Sequence, residues 1–497
     1  MGTSIKYRSP AVYAGVLFAL VLMVSAGVVT NVRAAKGNGP PHPQSATAFS
    51  NGSSNQQQNN HSSAQDPGAR ATTGTEGAAL STLSTYELEY FQDGLTRFME
   101  VDSVSGNAVG EPGKGLGPTF NSNSCTSCHS QPANGGSSPA TNPLFSIATD
   151  AGATNTMPSF LTIDGPVREV RFPFLVNPNG TVSKTPDGGV HALFTTSGRS
   201  DAPGCSIQQP NFTHMQQANN IAFRIPTPMF GAGLIENISD ATIYANMNSN
   251  AALKQHLGIS GHANTSGNDG TITRFGWKAQ NKSLLMFSGE AYNVEMGVTN
   301  ELFPEERARP PANCLTNPTP EDTTNFPASG AAISSDLVAF ANFMRFLAPP
   351  APSSQGIPGN PPAKSIANGK AVFSQIHCDG CHTPAMKTAS SNFSPGLSNQ
   401  VAALYSDLLV HHMGSGLADN ISQGAAGPDE FRTAPLWGVG QRLFFLHDGR
   451  ATPSNGGLVT AIQDHASNGS EANAVIGLFH QLNDQQKQDL LNFLRSL

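Results

Sequence analysis

Cys125-Thr-Ser-Cys128-His129 (CTSCH) and Cys378-Asp-Gly-Cys381-His382 (CDGCH) decide how the rest of this chain is read. In each, two thiols sit three positions apart and a histidine directly follows the second. This pentapeptide is the attachment signature of c-type haem: the thiols can form thioethers with the haem vinyl groups, and the adjacent imidazole can reach the iron as its proximal ligand. A thioredoxin-like dithiol or a zinc knuckle built from two cysteine pairs would use the thiols but leave both histidines unexplained. Each copy therefore nominates one covalently bound haem c, held by Cys125, Cys128 and His129 in the first and by Cys378, Cys381 and His382 in the second.

The 497 residues leave room for two or three domains. Lys6 and Arg8 precede an apolar run from Ala11 to Val29, and small residues follow at Val32 to Ala35. Residues 1–35 read as a signal peptide, with an uncleaved anchor as the alternative because the run approaches the roughly 20 residues that span a bilayer. Either places the remainder outside the cytoplasm, and the periplasm is the expected compartment. Of six cysteines, four belong to the two motifs, which leaves Cys205 and Cys314. In an oxidising space that pair is expected to form a disulfide, with two buried free thiols as the alternative. Charged residues make up only 12% of the chain and the net charge is −7, so no nucleic-acid partner is expected.

Residues 36–79 are rich in Gly, Ser, Asn, Gln and Thr and have almost no large apolar side chain, the composition of a disordered tether. Folded sequence begins near Leu80, where Ser81 or Ser84 could cap a helix through Tyr86, Leu88, Phe91, Leu95 and Phe98. Residues 348–362 (APPAPSSQGIPGNPP) read as a semi-rigid linker dividing an N-terminal haem domain, 80–347, from a C-terminal cytochrome c domain, 363–497. Each half closes with an amphipathic helix, Leu337 to Leu347 and Asp484 to Leu497, a weak internal repeat. The fold expected is mainly α: two cytochrome-c-like haem domains, the first enlarged by loops and short strands.

Several stretches are similar to the di-haem oxidoreductase family, a peroxidase-like group also described as thiol-oxidoreductase-like, and more distantly to bacterial di-haem cytochrome c peroxidases and methylamine dehydrogenase maturation enzymes. They are GLGPTFNSNSCTSCHSQPANGG (Gly115 to Gly136), PMFGAGLIENI (Pro228 to Ile238), RFGWKAQ (Arg274 to Gln280), EMGVTNELFP (Glu295 to Pro304), YSDLLVHHMGSGLAD (Tyr405 to Asp419) and APLWGVGQRLFFLHDGRA (Ala434 to Ala451). In the peroxidases a distal Met, or Tyr in the maturation enzymes, follows a His-Asp-Gly motif. Counting on from His447-Asp448-Gly449, the resemblance places His465 there as the distal ligand of the second haem. Met413 is the alternative, and His411 or His412 could instead bond a haem carboxylate. The resemblance likewise makes Glu295 the acid/base beside the first haem, with Glu236 as a second candidate, and Trp277 the residue between the haems.

This chain also departs from the peroxidases. It has no histidine between His129 and His191, Phe287 stands where they have a distal Gln, and Arg442-Leu443-Phe444 replaces a Thr-x-Pro that serves an interdomain calcium site. Calcium is therefore a doubtful cofactor. The function implied is reduction of a small oxidant such as hydrogen peroxide at the first haem, with electrons passed through the second from a redox donor protein or a quinol-linked cytochrome. One alternative is an electron-transfer cytochrome whose first iron is closed by Met157, His191, His214 or Met229. The other is a di-haem oxidase of thiols or protein side chains. A membrane tether through the N-terminus accompanies the anchor reading.

Overall fold

The computed structural model describes residues 64–324, 334–392 and 394–497. The signal or anchor reading of residues 1–35, and the tether up to residue 63, lie outside them. No helix among the described residues is long and apolar enough to cross a membrane.

The helices that frame the two motifs are α1 (Thr85–Phe98), α2 (Leu284–Glu295), α3 (Asp336–Phe346), α4 (Ala363–Gln375), α5 (Leu458–Gln463), α6 (Asn473–Gln481) and α7 (Asp484–Ser496). Their starts are written in the sequence. Ser84 and Glu87 form a capping box on α1, and Asn483 and Gln486 form one on α7. Ser335 makes no side-chain cap on α3; the Asp322 carboxylate accepts from the Asp336 and Leu337 N–H groups instead. Such a carboxylate satisfies amides that have no partner inside the helix and meets the positive end of its dipole.

Two helix pairs repeat, α1 against α3 and α4 against α7. Each crosses at a glycine. A Cβ on Gly94 would lie 2.3 Å from the Ala339 carbonyl oxygen, and one on Gly369 would lie 1.9 Å from that of Asp489. No larger residue permits either approach. Phe98 from α1 meets the His129 ring edge-on at 6.4 Å, and Phe373 from α4 meets His382 in the same way, also at 6.4 Å. The largest apolar core surrounds the first pair and a second surrounds the other, all within one unit running from His61 to Leu497.

Helix accounts for 31% of the structure and strand for 12%, so helix is the larger regular component, as expected, while irregular backbone dominates. The physical reason is composition, with 50 Gly and 36 Pro among 497 residues; both interrupt regular elements. Among the described residues the strands form six two-stranded sheets. Two of these matter for the site. β1 (Glu169–Arg171) pairs antiparallel with β2 (Ala222–Arg224), setting Glu169 opposite Arg224, and β3 (Val410–His412) pairs with β4 (Glu430–Arg432).

The described part of the expected tether, residues 64–79, is packed. Asp66 pairs with Arg495 and accepts the Leu458 N–H at 2.8 Å, and the Arg70 N–H donates to the Gly440 oxygen at 2.8 Å. Ion pairs and backbone bonds order this strap where apolar burial does not. The Pro-rich stretch is held as well: Ile357 is buried, and the Ser353 N–H donates to the Ser496 oxygen at 2.8 Å.

Candidate functional site

Both motif histidines are prepared as ligands. His129 donates from Nδ1 to the Gly136 oxygen at 3.0 Å, and His382 donates to the Tyr405 oxygen at 2.9 Å. The bond fixes each ring with Nδ1 as the donor, and the Thr227 backbone bonds the His129 ring as well. Burial lowers both pKa values to about 4, so both rings are neutral at pH 7. Burial likewise pushes the Cys128 thiol up to about 11 and that of Cys378 to about 12.

His382 opens onto a cavity of about 220 Å³ whose wall includes Phe373, Cys378, Cys381, Phe445, Leu490 and His465. His465 follows α5 and donates from Nδ1 to the Ala461 oxygen at 2.6 Å, which frees its Nε2. Burial lowers its pKa, and a charge on it would disfavour protonation of His382, with which it shares the cavity wall. Met413 lines the same cavity. His411 is excluded as a ligand or a partner for a haem carboxylate, because Nδ1 donates to Glu471 at 2.8 Å and Nε2 to Asp407 at 3.0 Å. Burial opposes a charge there, but Cys381 and Asp407 hold its pKa well above the ordinary value. His412 is exposed and pairs with Asp429.

His129 opens onto a second cavity, about 150 Å³, lined by Glu295, Glu169, Asn121, Gln280, Trp277 and Phe287 among others. Glu295 ends α2. Burial, and then the Glu169 carboxyl hydrogen-bonded to it, push its pKa well above the ordinary value. Glu169 goes the other way: burial opposes ionisation, but Arg171 and Arg224 hold it ionised. The proton of this pair therefore resides on Glu295, and Asn121 Nδ2 donates to Glu295 Oε2 at 2.7 Å.

Glu236 is not in either cavity. Its carboxylate is engaged by Arg345 at 2.7 Å and by the Leu284 N–H at 2.8 Å, a structural cap on α2. The structure therefore corrects its candidacy as an acid/base. Of the four residues considered for closing the first iron, Met229 alone lines the cavity. Its N–H donates to the Gly135 oxygen, in the loop just beyond His129. His191 stacks on Phe172 and pairs with Asp187, while His214 donates to the Gly180 oxygen. Cys205 and Cys314 are joined as a disulfide, Cα atoms 4.8 Å apart.

Trp277 lines both cavities and the smaller space of about 40 Å³ between them, its indole N–H donating to the Ile225 oxygen at 2.9 Å. Arg442 lies at the same junction, a cation where the calcium motif would be, and no calcium ligand set of carboxylates gathers there among the described residues. Sequence reading missed Glu169, Gln280 and Asn121. Gln280 ends the quoted RFGWKAQ stretch, three residues after Trp277, and its Oε1 is buried without a partner. Asn121 precedes CTSCH by four positions. Glu169 carried no local signal, because a fold contact alone brings it to Glu295.

Residues 180–497 match the family described as "Di-haem oxidoreductase, putative peroxidase". The chain belongs to that family. No curated protein matches it. Among solved structures, hydrazine synthase of Kuenenia stuttgartiensis shares 16% identity over 55% of this chain and 88% of that one, with a TM-score of 0.25. A MauG-like protein associated with microbial copper homeostasis shares 16% identity over 55% and 91%, with a TM-score of 0.25. Likeness of that size carries no inference about this chain.

The residues present fit the haems of a di-haem oxidoreductase. Each cavity joins two free thiols, a neutral imidazole and a wall of apolar side chains. At the junction, Arg442 Nε and Nη2 are buried without a partner, as expected beside the carboxylates of a bound group.

Proposed function

We propose that this di-haem oxidoreductase reduces a small peroxide in the His129 cavity, using electrons delivered through the His382 cavity. The observation that carries the reading is the contrast in what lines each cavity: the His465 imidazole, bonded through Nδ1 to a carbonyl, on the wall of the His382 cavity, and a protonated Glu295 on the wall of the His129 cavity. In this reading Cys125 and Cys128 hold one haem covalently, Cys378 and Cys381 the other, in two cytochrome-c-like units. His129 ligates the first iron, and His382 and His465 the second. When bound, the first haem supplies the redox step, cleavage of the O–O bond.

The chain's own residues do the rest. Glu295 holds a proton at the cavity wall for transfer to the departing oxygen, the role a neutral buried carboxyl suits. Asn121 fixes its orientation, Glu169 keeps the proton on it, and Gln280 presents a free carboxamide oxygen to a hydrogen-bonding oxidant. Trp277, wedged between the cavities, is the side chain through which electrons pass. Export to the periplasm, attachment through the N-terminus and a redox donor protein complete the proposal.

The test is low-temperature EPR of the oxidised protein with and without one equivalent of H₂O₂, run beside the Cys125→Ala/Cys128→Ala variant. A high-spin signal altered by peroxide, and lost with that haem in the variant, is expected. Two low-spin signals indifferent to peroxide in oxidised and half-reduced samples would instead support the electron-transfer reading, which the position of Met229 in the His129 cavity favours.

A further inference from the structure

Most buried arginines of this chain have a carboxylate partner: Arg171 with Glu169, Arg199 with Glu111, Arg224 with Asp419, Arg274 with Asp240 and Arg495 with Asp66. Arg70 has none, and neither do Arg442, which is buried, and the half-buried Arg432, which lines the same cavity. Arg432 donates to the Gly276 carbonyl at 3.1 Å, and the one carboxylate that acts on it, Asp407, is engaged by His411. Arg442 Nε and Nη2 have no hydrogen-bond partner, and no acidic group acts on its guanidinium. Burial lowers both to about 10, yet both stay cationic at neutral pH. A buried cation without an anion is costly, and a second guanidinium without a carboxylate of its own at the same place points to an anion that the side chains do not provide.

Their position says which one. Both line the His382 cavity and the small space that leads from it towards the His129 cavity, beside Trp277. Elsewhere the His382 cavity is bounded mainly by apolar groups such as Leu458, Ile462 and Leu490, with Glu471 and its partner His411, and with His377 and His447. Burial opposes ionisation of Glu471, but a hydrogen bond from His411 and its charge lower that pKa to about 2. A group with an apolar body and a carboxylate edge finds free positive charge at the arginine side alone of these two, since the His411 charge is already taken by Glu471 and Asp407.

We propose that Arg432 and Arg442 form a carboxylate-binding site at the junction of the two cavities, which takes the propionates of the haem held at His382. This rests on the reading that the cavity holds a haem. It adds an orientation: the carboxylate edge faces the junction and Trp277, so the arginines are positioning residues for electron passage. Two guanidinium charges also favour the reduced iron by offsetting the carboxylates. A free carboxylate or phosphate from solution has the same chemistry and is the rival occupant.

The experiment uses the full-length holoprotein and the variants Arg432→Gln, Arg442→Gln, Arg432→Lys and Arg442→Lys. Covalent haem is counted by pyridine haemochrome, and each haem is titrated by optical and EPR redox titration. The expected result is a lower midpoint for the His382 haem in each Gln variant, recovery in the Lys variants and a smaller change at the His129 haem. Loss of one haem in the Gln variants with recovery in the Lys variants would carry the same meaning. An unchanged midpoint with two haems present overturns the proposal. So does a wild-type midpoint that moves saturably with added acetate or phosphate and stops doing so in the Gln variants, since the occupant is then a free anion. Two haems retained in Cys378→Ala/Cys381→Ala would strike the attachment reading itself, which separates the two failures.

Discussion

The frames around His129 and His382 are nearly the same, and the spaces they open onto are not. Each ring is fixed through Nδ1 to a carbonyl, neutralised by burial and touched edge-on at 6.4 Å by a phenylalanine from a helix that crosses its partner at a glycine. Beyond that, the His382 cavity presents another imidazole, His465, while the His129 cavity presents Glu295, Glu169 and Gln280. A repeated scaffold thus separates holding an iron from using it. The frame is set by helix packing, and the chemistry by side chains that loops, short strands and the end of α2 bring to its open side.

The sharpest way to break this contrast is Glu295→Gln. A positioned general acid contributes on the order of 10² to 10⁴ in rate, so peroxide-dependent oxidation of a reduced donor should fall by at least about 100-fold with both haems retained. Wild-type turnover should also fall as pH rises through the elevated pKa of Glu295, because the active form carries the proton. Glu169→Gln removes a charge that raises that pKa. It should move the alkaline limb to lower pH, and an unmoved limb in steady-state kinetics would remove Glu169 from the pair.

A smaller effect belongs to the other cavity. His465→Met replaces an imidazole by a thioether, and axial ligand identity is a main control of haem potential. Redox titration should find the His382 haem shifted upward and the His129 haem little changed. An unshifted midpoint would pass the ligand role to Met413, which lines the same wall.

Why the frame could be read from sequence and the acidic cavity only partly follows from range. The two pentapeptides, the flanking helices and the Ser84 start of α1 are local patterns, and they lie where the sequence places them. Trp277, His465 and Glu295 were reached through resemblance in segments close to a motif, and all three line a cavity. Glu236 was drawn from the same kind of reasoning and fails, since nothing local reveals that Arg345, 109 residues away, occupies its carboxylate. Glu169 is the converse: Arg171, Arg224 and Glu295 give it meaning only after β1 and β2 have paired. The packed strap at residues 64–79 was hidden for a related reason. Its polar composition resembles disorder, and its order comes from partners more than 390 positions away, such as Leu458 and Arg495.

The two regions should also answer pH in opposite directions. Burial, and then Glu100, push Asp102 near the first motif up to about 8. Because the folded state holds that proton more tightly than the unfolded chain, its contribution is present below about pH 4 and is lost as pH rises towards 8. Glu471, beside the second cavity, is lowered to about 2 by His411 against the opposing effect of burial. Its contribution is present above its unfolded pKa of about 4.3 and disappears as pH falls towards 2. Thermal unfolding across pH should show Asp102→Asn flattening the alkaline side and Glu471→Gln the acid side. Identical profiles for both variants would show that these carboxyls do not set the pH response.

The mildest test concerns the strap, which binds α5 and α7 beside the His382 cavity. Asp66 both caps Leu458, the first residue of the helix leading to His465, and pairs with Arg495 of α7. Asp66→Asn keeps the size and an acceptor oxygen but removes the charge, so the cap is weakened and the ion pair lost. Arg495 retains bonds to the Gly440 and Arg442 oxygens at 3.0 and 2.9 Å, which limits the damage to roughly 1 to 2 kcal/mol. If α5 holds the ligand of one cavity alone, the low-spin EPR signal of the His382 haem should broaden while the peroxide-sensitive signal stays as it was. Broadening of both would mean that the strap steadies the whole unit, and the contrast between the cavities would then not extend to the segment that clamps one of them.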